Sequence, residues 1–467
     1  MQKKAKSDVQ VHKLTEGAYL ACSPQGNVLF GCPPEILKRI LSLQLPMPDT
    51  VVVSARMFHN TSSQASLEFP LYHFLFVQRG LERKRKFQVV ASSTQIIRLA
   101  ESLRMTVVGP TEAEMIQVGT PPALAREIYQ ETHYMALKDP SSGKPFEISE
   151  MIDFIPVDVG ASRQLYPMRN KMPEVLLERE TDVHFRLLYG EQAFDMDLSV
   201  SQVQTPNYKL HAEKHKSATG DFTVTVLGRS NGFDPNDPAN GYLMDVDGHL
   251  LLWDCPAYLN LHLEKRGLTL DDIEALVLSH VHEDHIDIVE SVRKKPLPLY
   301  TTPEIHYSLM VKLMSVYGCS LEEAKKLHEY HPLEPGKPVK IQGATLDVFH
   351  SVHAIPALGG KITWEKNGKK GLLHISGDHL SNAAIEAMKA GEGISPRRYE
   401  MVHHLLNGKE TLILMDAGGG IIHGDYRDFL TFQGKGRIGF MHTGIIQGEL
   451  PPNMTLVQSG QVLKVTE

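Results

Sequence analysis

Ser279-His280-Val281-His282-Glu283-Asp284-His285 sets three imidazoles and a carboxylate at the spacing H-x-H-x-D-H. The segment directly follows an apolar run, 273–278, that reads as a buried strand. Imidazole nitrogens and carboxylate oxygens are the donors that zinc, manganese and iron prefer. On extended backbone alternate side chains share a face, so His280 and His282 point the same way. A turn would then carry Asp284 and His285 to a neighbouring point. One short loop can thereby offer two ligands to one metal and two to another. Two cations about 3.5–4 Å apart can activate a water and clamp a leaving oxygen. Four ligands do not complete two sites, so more His and Asp are expected at strand ends downstream.

Three later positions supply them. His353 follows the apolar segment 345–349 and is expected as the third ligand of the first metal. His350 lies nearer the strand and is the weaker candidate. Asp378 ends a strand-like run in Gly377-Asp378, where a carboxylate can bridge two cations and the glycine permits close approach. The competing reading of Asp378 is a helix N-cap, because 382–388 reads as helical. His442 closes the short apolar segment 437–441 and completes the second metal.

This set, H-x-H-x-D-H followed by His, Asp and His, resembles the metallo-β-lactamase superfamily over about residues 222–467. The resemblance implies an α/β fold, an αββα sandwich. It also implies two divalent transition-metal ions, zinc first, with manganese or iron as alternatives. His280, His282 and His353 would hold one, Asp284, His285 and His442 the other, with Asp378 between them. Asp254, in Leu252-Trp253-Asp254-Cys255-Pro256, fits the family's aspartate that supports the metal loop through hydrogen bonds. Gly228-Arg229-Ser230-Asn231-Gly232 resembles the family's Gly-rich turn after its first strand.

The superfamily hydrolyses lactams, thioesters, lactones and phosphodiesters, so the fold alone does not choose a substrate. Two complete metal sites suit in-line displacement at phosphorus. His353-Ala354-Ile355-Pro356 resembles a segment of the cyclic-nucleotide phosphodiesterase branch. Gly418-Gly419-Gly420 can offer backbone N–H groups to phosphate oxygens, and His423 can protonate a leaving alkoxide. The bland reading of His423 is a loop histidine bonded to Asp425. The expectation is a dinuclear metal-dependent hydrolase, a phosphodiesterase acting on cyclic nucleotides or related small phosphodiesters. In it a metal-bridging hydroxide attacks phosphorus, and the catalytic residues are Asp284, which is also a metal ligand, and His423. A ribonuclease Z-like RNA endonuclease is the first alternative. A lactone or thioester hydrolase, or a metal-bound scaffold without activity, is the second.

The 467 residues carry 42% hydrophobic side chains and a net charge of −7. Ordinary cores are therefore expected, and no general attraction to nucleic acid. The best basic cluster, Lys84-Arg85-Lys86, reads as a solvated surface. Four cysteines without a C-x-x-C pair indicate neither a disulfide framework nor a thiolate zinc site. Met1-Gln2-Lys3-Lys4-Ala5-Lys6 is charged with no apolar run behind it, so no signal peptide, no membrane span and a cytoplasmic setting are expected.

An internal repeat organises the first half. Residues 26–33 can be laid against 248–256 on a Gly and a Cys-Pro anchor, and each is followed by a helical pattern and a strand ending in Ser, Ser54 or Ser279. Gly31 stands where Asp254 does, and Ala55-Arg56-Met57-Phe58-His59-Asn60 replaces the metal motif. The expectation is a tandem arrangement. A degenerate, metal-free copy spans 1–205, a linker 206–221 and the catalytic domain 222–467. The two halves would form a pseudo-dimer within the chain, and a homodimer stays open.

Overall fold

The computed structural model describes residues 9–59, 62–166, 173–420, 422–443 and 445–466. The charged N-terminus, Asn60 and Ile421 lie outside them. The chain forms two compact units that interleave along the sequence. One gathers Met1–Leu103, Phe146–Asn207 and Lys312–Cys319; the other gathers Arg104–Pro145, Tyr208–Val311 and Ser320–Glu467. This differs from boundaries at 205 and 222, and the cause is specific bonding. The helix Pro122–Met135, which starts on a proline suited to the first turn, sends Glu131 to Arg398 at 2.8 and 3.0 Å. Thr120 donates to Glu304 at 2.7 Å. The expected linker is also tied down: Asp245 accepts from the Ala218 N–H at 2.8 Å and pairs with His215 at 3.0 Å.

The second unit is a sandwich of two seven-stranded sheets. In the first sheet Val462–Lys464, Phe222–Gly228, Gly241–Val246 and His249–Trp253 are antiparallel. Ala275–Val277, Leu297–Thr301 and His328–Pro332 then continue it in parallel. The second sheet begins with an antiparallel run, Val339–Ile341, Ala344–Ser351, Ala357–Lys366 and Lys369–Ile375. Leu412–Asp416, Arg437–Met441 and Met454–Leu456 extend it in parallel. Leu412–Asp416 is buried at every position, as a strand covered on both faces must be. The sheets meet face to face at Gly360, where an added Cβ would lie 2.7 Å from Trp253. The helices Leu259–Arg266 and Pro303–Tyr317 connect parallel strands of the first sheet. Asn382–Ala390 and Pro396–His403 do the same for the second, burying Ile385, Met388 and Val402 with Val352 and Leu380. The order is helix, sheet, sheet, helix, as the αββα expectation requires.

The first unit repeats half of this plan. Its six-stranded sheet runs Gln10–Thr15, Ala18–Cys22, Asn27–Phe30, Thr50–Val52, Phe87–Ala91 and Ile152–Pro156, antiparallel and then parallel in the same order. Gly31 N–H donates to Val52 O at 2.9 Å, as Asp254 N–H donates to Val277 O at 2.9 Å. Glu35 and Tyr258, each just before a helix, share left-handed φ values of 55° and 61°. The second layer differs: it is a four-stranded antiparallel sheet, Ser162–Gln164, Val175–Arg179, His184–Tyr189 and Gln192–Asp197. Its Leu177, Phe185 and Leu187 pack with Phe30, Val52 and Val90 into this unit's own core. Among the described residues no helix is long and apolar enough to cross a membrane.

Candidate metal centre

The candidate residues stand just beyond the C-terminal ends of sheet strands. Asp254 follows His249–Trp253, His280 follows Ala275–Val277, His353 follows Ala344–Ser351, Asp378 follows Lys369–Ile375 and His442 follows Arg437–Met441. Strand ends of this kind are where open α/β sheets place ligands. The structure gathers His280, His282, His353 and Asp378 into one buried cluster and Asp284, His285 and His442 into a second. In the first, His282 Nδ1 lies 3.1 Å from His280 Nε2 and 3.2 Å from His353 Nε2. In the second, His285 Nε2 lies 3.1 Å from His442 Nε2, and Asp284 Oδ2 lies 3.5 Å from His442 Nε2. Asp378 faces both: Oδ2 is 3.7 Å from His280 and His353, and Oδ1 is 3.1 Å from His285 and 3.5 Å from His442. Asp378 is not a helix cap; Ser381 caps Asn382–Ala390. His350 is elsewhere, bound to Glu304 at 2.6 Å.

The surroundings aim these rings. His280 Nδ1 meets Ser279 Oγ at 3.0 Å, His282 Nε2 meets Thr106 O at 3.0 Å, and His353 Nδ1 meets Ile422 O at 3.1 Å. His285 Nδ1 donates to Asp254 Oδ2 at 2.8 Å. Asp254 also accepts from the Ser279 N–H at 2.8 Å and the Ser279 hydroxyl at 2.9 Å. Asp254 thus lies beneath the motif loop. Asp254 and His442 adopt left-handed φ values of 64° and 61°, a cost of order 1–3 kcal/mol that recurs at functional sites. His442 is held there by its N–H on Arg229 O at 2.7 Å, within the Gly-rich turn. Gly377 has φ 60°, and a Cβ there would lie 2.1 Å from Leu358 O, so this approach admits only glycine.

These features fit cations. With the outer nitrogens engaged, four rings turn a lone pair inward. Lone pairs 3.1–3.2 Å apart repel unless a cation sits between them. Two zinc–nitrogen bonds of about 2.0–2.1 Å at a tetrahedral angle give an edge of about 3.3 Å. Asp378 Oδ1, fully buried, makes no hydrogen bond among the described residues. Burial pushes His280 and His282 well below the ordinary histidine range, and His353 down to about 4, so these rings are neutral donors. At His285 burial is outweighed by the charges of Asp378 and Asp284, which hold its pKa well above the usual value. The same field favours a divalent ion.

His423 lies beside both clusters, its ring centroid 5.5 Å from His353 and 4.7 Å from His442. Its partner is Asp416, Nδ1 to Oδ2 at 2.9 Å, and not Asp425, which instead pairs with Arg427. Asp416 was missed from sequence. Its signal was a carboxylate ending a fully apolar strand beside the strand that leads to Asp378. The Gly-rich loop serves this pair. Gly418 N–H donates to Asp416 Oδ1 at 2.8 Å, Gly424 N–H to Asp416 Oδ2 at 3.3 Å, and Gly419 N–H to Gly424 O at 2.9 Å. Of the expected phosphate-binding N–H groups, those of Gly418 and Gly419 are thus engaged within the loop. Thr106 was also invisible, because a backbone carbonyl far upstream carries no motif.

Residues 222–367 match the family model described as anti-Pycsar protein Apyc1, a span that ends before Asp378, His423 and His442. The cGMP-dependent 3′,5′-cGMP phosphodiesterase A of Dictyostelium discoideum is 26% identical over 206 residues, 43% of this chain and 23% of its own length. Ribonuclease Z of Methanopyrus kandleri is 27% identical over 154 residues, 31% of this chain and 52% of its own length. The chain thus spans 23% and 52% of the length of these two curated relatives. Among solved structures, the metallo-β-lactamase fold protein YhfI from Bacillus subtilis covers 52% of this chain and 99% of its own, at 19% identity and a TM-score of 0.38. Strand order, sheet pairing and the H-x-H-x-D-H loop at the strand ends give the second unit the α/β metallo-β-lactamase fold, and it is this superfamily that the chain resembles.

Proposed function

We propose that the chain is a dinuclear metal-dependent phosphodiesterase acting on cyclic nucleotides or related small phosphodiesters. The observation that carries this reading is Asp378, whose two oxygens face two separate ligand clusters. His280, His282 and His353 would hold one divalent cation, Asp284, His285 and His442 the other, with Asp378 shared. When bound, such ions lower the pKa of water and offset charge developing on phosphorus oxygens. The chain's own contribution is to orient and to move a proton. Ser279, Thr106, Asp254 and Ile422 fix the four rings, so little reorganisation accompanies the reaction. His423 donates Nδ1–H to Asp416, which leaves Nε2–H available. Burial alone would lower its pKa, but the charge and hydrogen bond of Asp416 raise it to about 9. Asp416 favours the protonated ring, and the free Nε2–H is placed to donate to a leaving alkoxide.

Two of the relatives act in their names on phosphodiesters, one on cGMP and one as a ribonuclease. The first supports the small-substrate reading and the second keeps a ribonuclease Z-like activity as the alternative. In addition, the first unit fits a degenerate copy of the second: the strand order and the hydrogen bond after the third strand agree, and the ligands are replaced. The test is a panel of bis-p-nitrophenyl phosphate, 2′,3′- and 3′,5′-cyclic nucleotides, a precursor tRNA, a lactone and a thioester, with chelation and metal restoration. Metal-dependent turnover of a cyclic nucleotide supports the proposal. Cleavage of precursor tRNA alone selects the alternative, and turnover confined to the lactone or thioester overturns both.

A further inference from the structure

Two apolar clusters of the second unit leave a cavity of about 270 Å³ between them. That is close to the lower bound of about 300 Å³ typical of small-molecule sites. Leu380, Val402 and Leu405 wall it from one cluster, and Met415, Phe429 and Phe432 from the other. None of the seven candidate metal ligands lines it. Most of its polar atoms are already committed. Asp416 spends Oδ1 on the Gly418 N–H, and Oδ2 on His423 and the His379 N–H. Both His374 ring nitrogens are sealed from any probe. Asn382, His403 and Thr431 are exposed, and His403 faces Glu386 at 3.6 Å. Two groups remain. His379 is only 9% exposed, and its Nδ1 accepts from the Val352 N–H at 3.2 Å. A nitrogen that accepts carries no proton, so the ring is neutral with its proton on Nε2. Nε2 has no partner among the described residues and, unlike the His374 nitrogens, is not sealed. Asp428, half-buried, gives Oδ2 to the Asn382 N–H at 2.8 Å, and its Oδ1 has no partner among the described residues. A donor on a buried ring and an acceptor on the wall thus share one apolar cavity, and such a donor calls for a partner.

We propose that this cavity binds a neutral, amino-substituted heterocycle of the nucleobase class, as free base or nucleoside, apart from the metal centre. The flat ring would lie against Phe429, Phe432 and the aliphatic walls, where aromatic faces stack well. A ring nitrogen would accept from His379 Nε2–H, and the amino group would donate to Asp428 Oδ1. A purely apolar ligand does not fit, because it leaves the His379 donor unpaired. A phosphate group does not fit either. Neither lysine nor arginine lines the cavity, whereas Asp428 does, so a phosphate meets a like charge and no partner. The site also touches the catalytic loop. The His379 backbone N–H donates at 3.0 Å to Asp416 Oδ2, the same oxygen that orients His423.

The test titrates the full chain calorimetrically with adenosine, adenine and purine riboside, which lacks the amino group. Adenosine is expected to bind once per chain. Purine riboside should bind about tenfold more weakly, as loss of a hydrogen bond to a charged acceptor implies. Adenine as tight as adenosine identifies the free base as the ligand, and tighter adenosine identifies the nucleoside. Asp428→Asn keeps an oxygen for the Asn382 N–H but turns an N–H toward the ligand's amino group. It should weaken adenosine about tenfold and erase the preference over purine riboside. Leu406→Trp fills the cavity and should abolish binding of both. If Leu406→Trp unfolds, Asp428→Asn decides, because the preference is read on one folded protein. Three results overturn the proposal: no adenosine binding, equal affinity of the parent chain for adenosine and purine riboside, or adenosine binding that both substitutions leave unchanged. The last would place the ligand elsewhere, at the metal centre included. Every readout is binding and none is hydrolysis, so the metal-dependent phosphodiesterase reading stands or falls by its own panel.

Discussion

Asp254→Asn isolates the chemistry of the carboxylate beneath the metal loop. Asparagine tolerates the left-handed backbone that Asp254 adopts at φ 64°, so the fold is left alone. The side chain is fully buried and accepts three hydrogen bonds, from the Ser279 N–H, the Ser279 hydroxyl and His285 Nδ1. An amide has one oxygen, and its nitrogen only donates. If the nitrogen faces His285, the ring must move its proton to Nε2, and the inward lone pair is lost. If it faces the Ser279 N–H, two buried donors oppose each other, at about 1–3 kcal/mol. Removing a partner that orients a ligand histidine typically costs about 10–100-fold in metal affinity, or about 1.4–2.7 kcal/mol. The loss should fall on the cluster of Asp284, His285 and His442, because His280 is oriented by Ser279 Oγ. Competition with a chromophoric chelator should resolve one weakened site and one nearly unchanged. Two sites at the parent affinity would refute the reasoning, and equal weakening of both would show that Asp254 acts on the loop as a whole.

Asp378→Ala should remove or weaken both metals, whereas His379→Ala, whose Nδ1 accepts from the Val352 N–H at 3.2 Å, should keep them; elemental analysis of both variants decides. His423→Ala should retain metal yet slow substrates with poor leaving groups by about 10²–10⁴-fold, with p-nitrophenyl esters affected less; equal losses on both would exclude a proton-donor role. Glu131→Gln leaves the buried Arg398 guanidinium without its bidentate carboxylate and should destabilise the chain by about 3–5 kcal/mol in denaturant unfolding. A fragment of residues 206–467 lacks both Glu131 and Thr106 and should fail to hold its first metal, whereas a well-folded fragment with two metals would show that 104–145 is dispensable.

The parts of the site legible in sequence are those carried by side chains at strand ends. A H-x-H-x-D-H loop needs a strand before it, and His353, Asp378 and His442 each close an apolar run, so period and chemistry agree locally. The structure brings all seven together. What stayed hidden depends on long-range packing. Thr106 acts through a carbonyl that any residue possesses. Asp416 became meaningful only when Leu412–Asp416 paired beside Lys369–Ile375 and the Gly-rich loop folded His423 back onto it. The interleaved units were hidden for the same reason, because Glu131 and Arg398 are an ordinary acid and base until burial makes each the other's necessary partner.

The first unit carries a similar turn without the ligand set. The backbone after its third strand follows the second unit's course: Cys32 bridges to Ala65 as Cys255 bridges to Ile286, and the Cys32 N–H meets Gln64 O where the Cys255 N–H meets His285 O. Gln64 therefore occupies the place of His285. The register read from sequence had put Asn60 there, four residues early, because the segment from Ser54 to Gln64 is four residues longer than that from Ser279 to His285. At this place the inward groups are amides. Gln64 Nε2 and the Ser62 hydroxyl both donate to Gln204 Oε1, at 3.0 and 2.9 Å, and Gln204 Nε2 donates to Glu16 O at 3.0 Å. Each donor meets an acceptor, so no lone pairs converge and no cation is required. Gly31, at the place of Asp254, keeps the left-handed turn at φ 70° with no carboxylate to orient a ring. The two units thus share turn geometry and strand order, and the first holds a closed hydrogen-bond network at the place where the second holds convergent lone pairs.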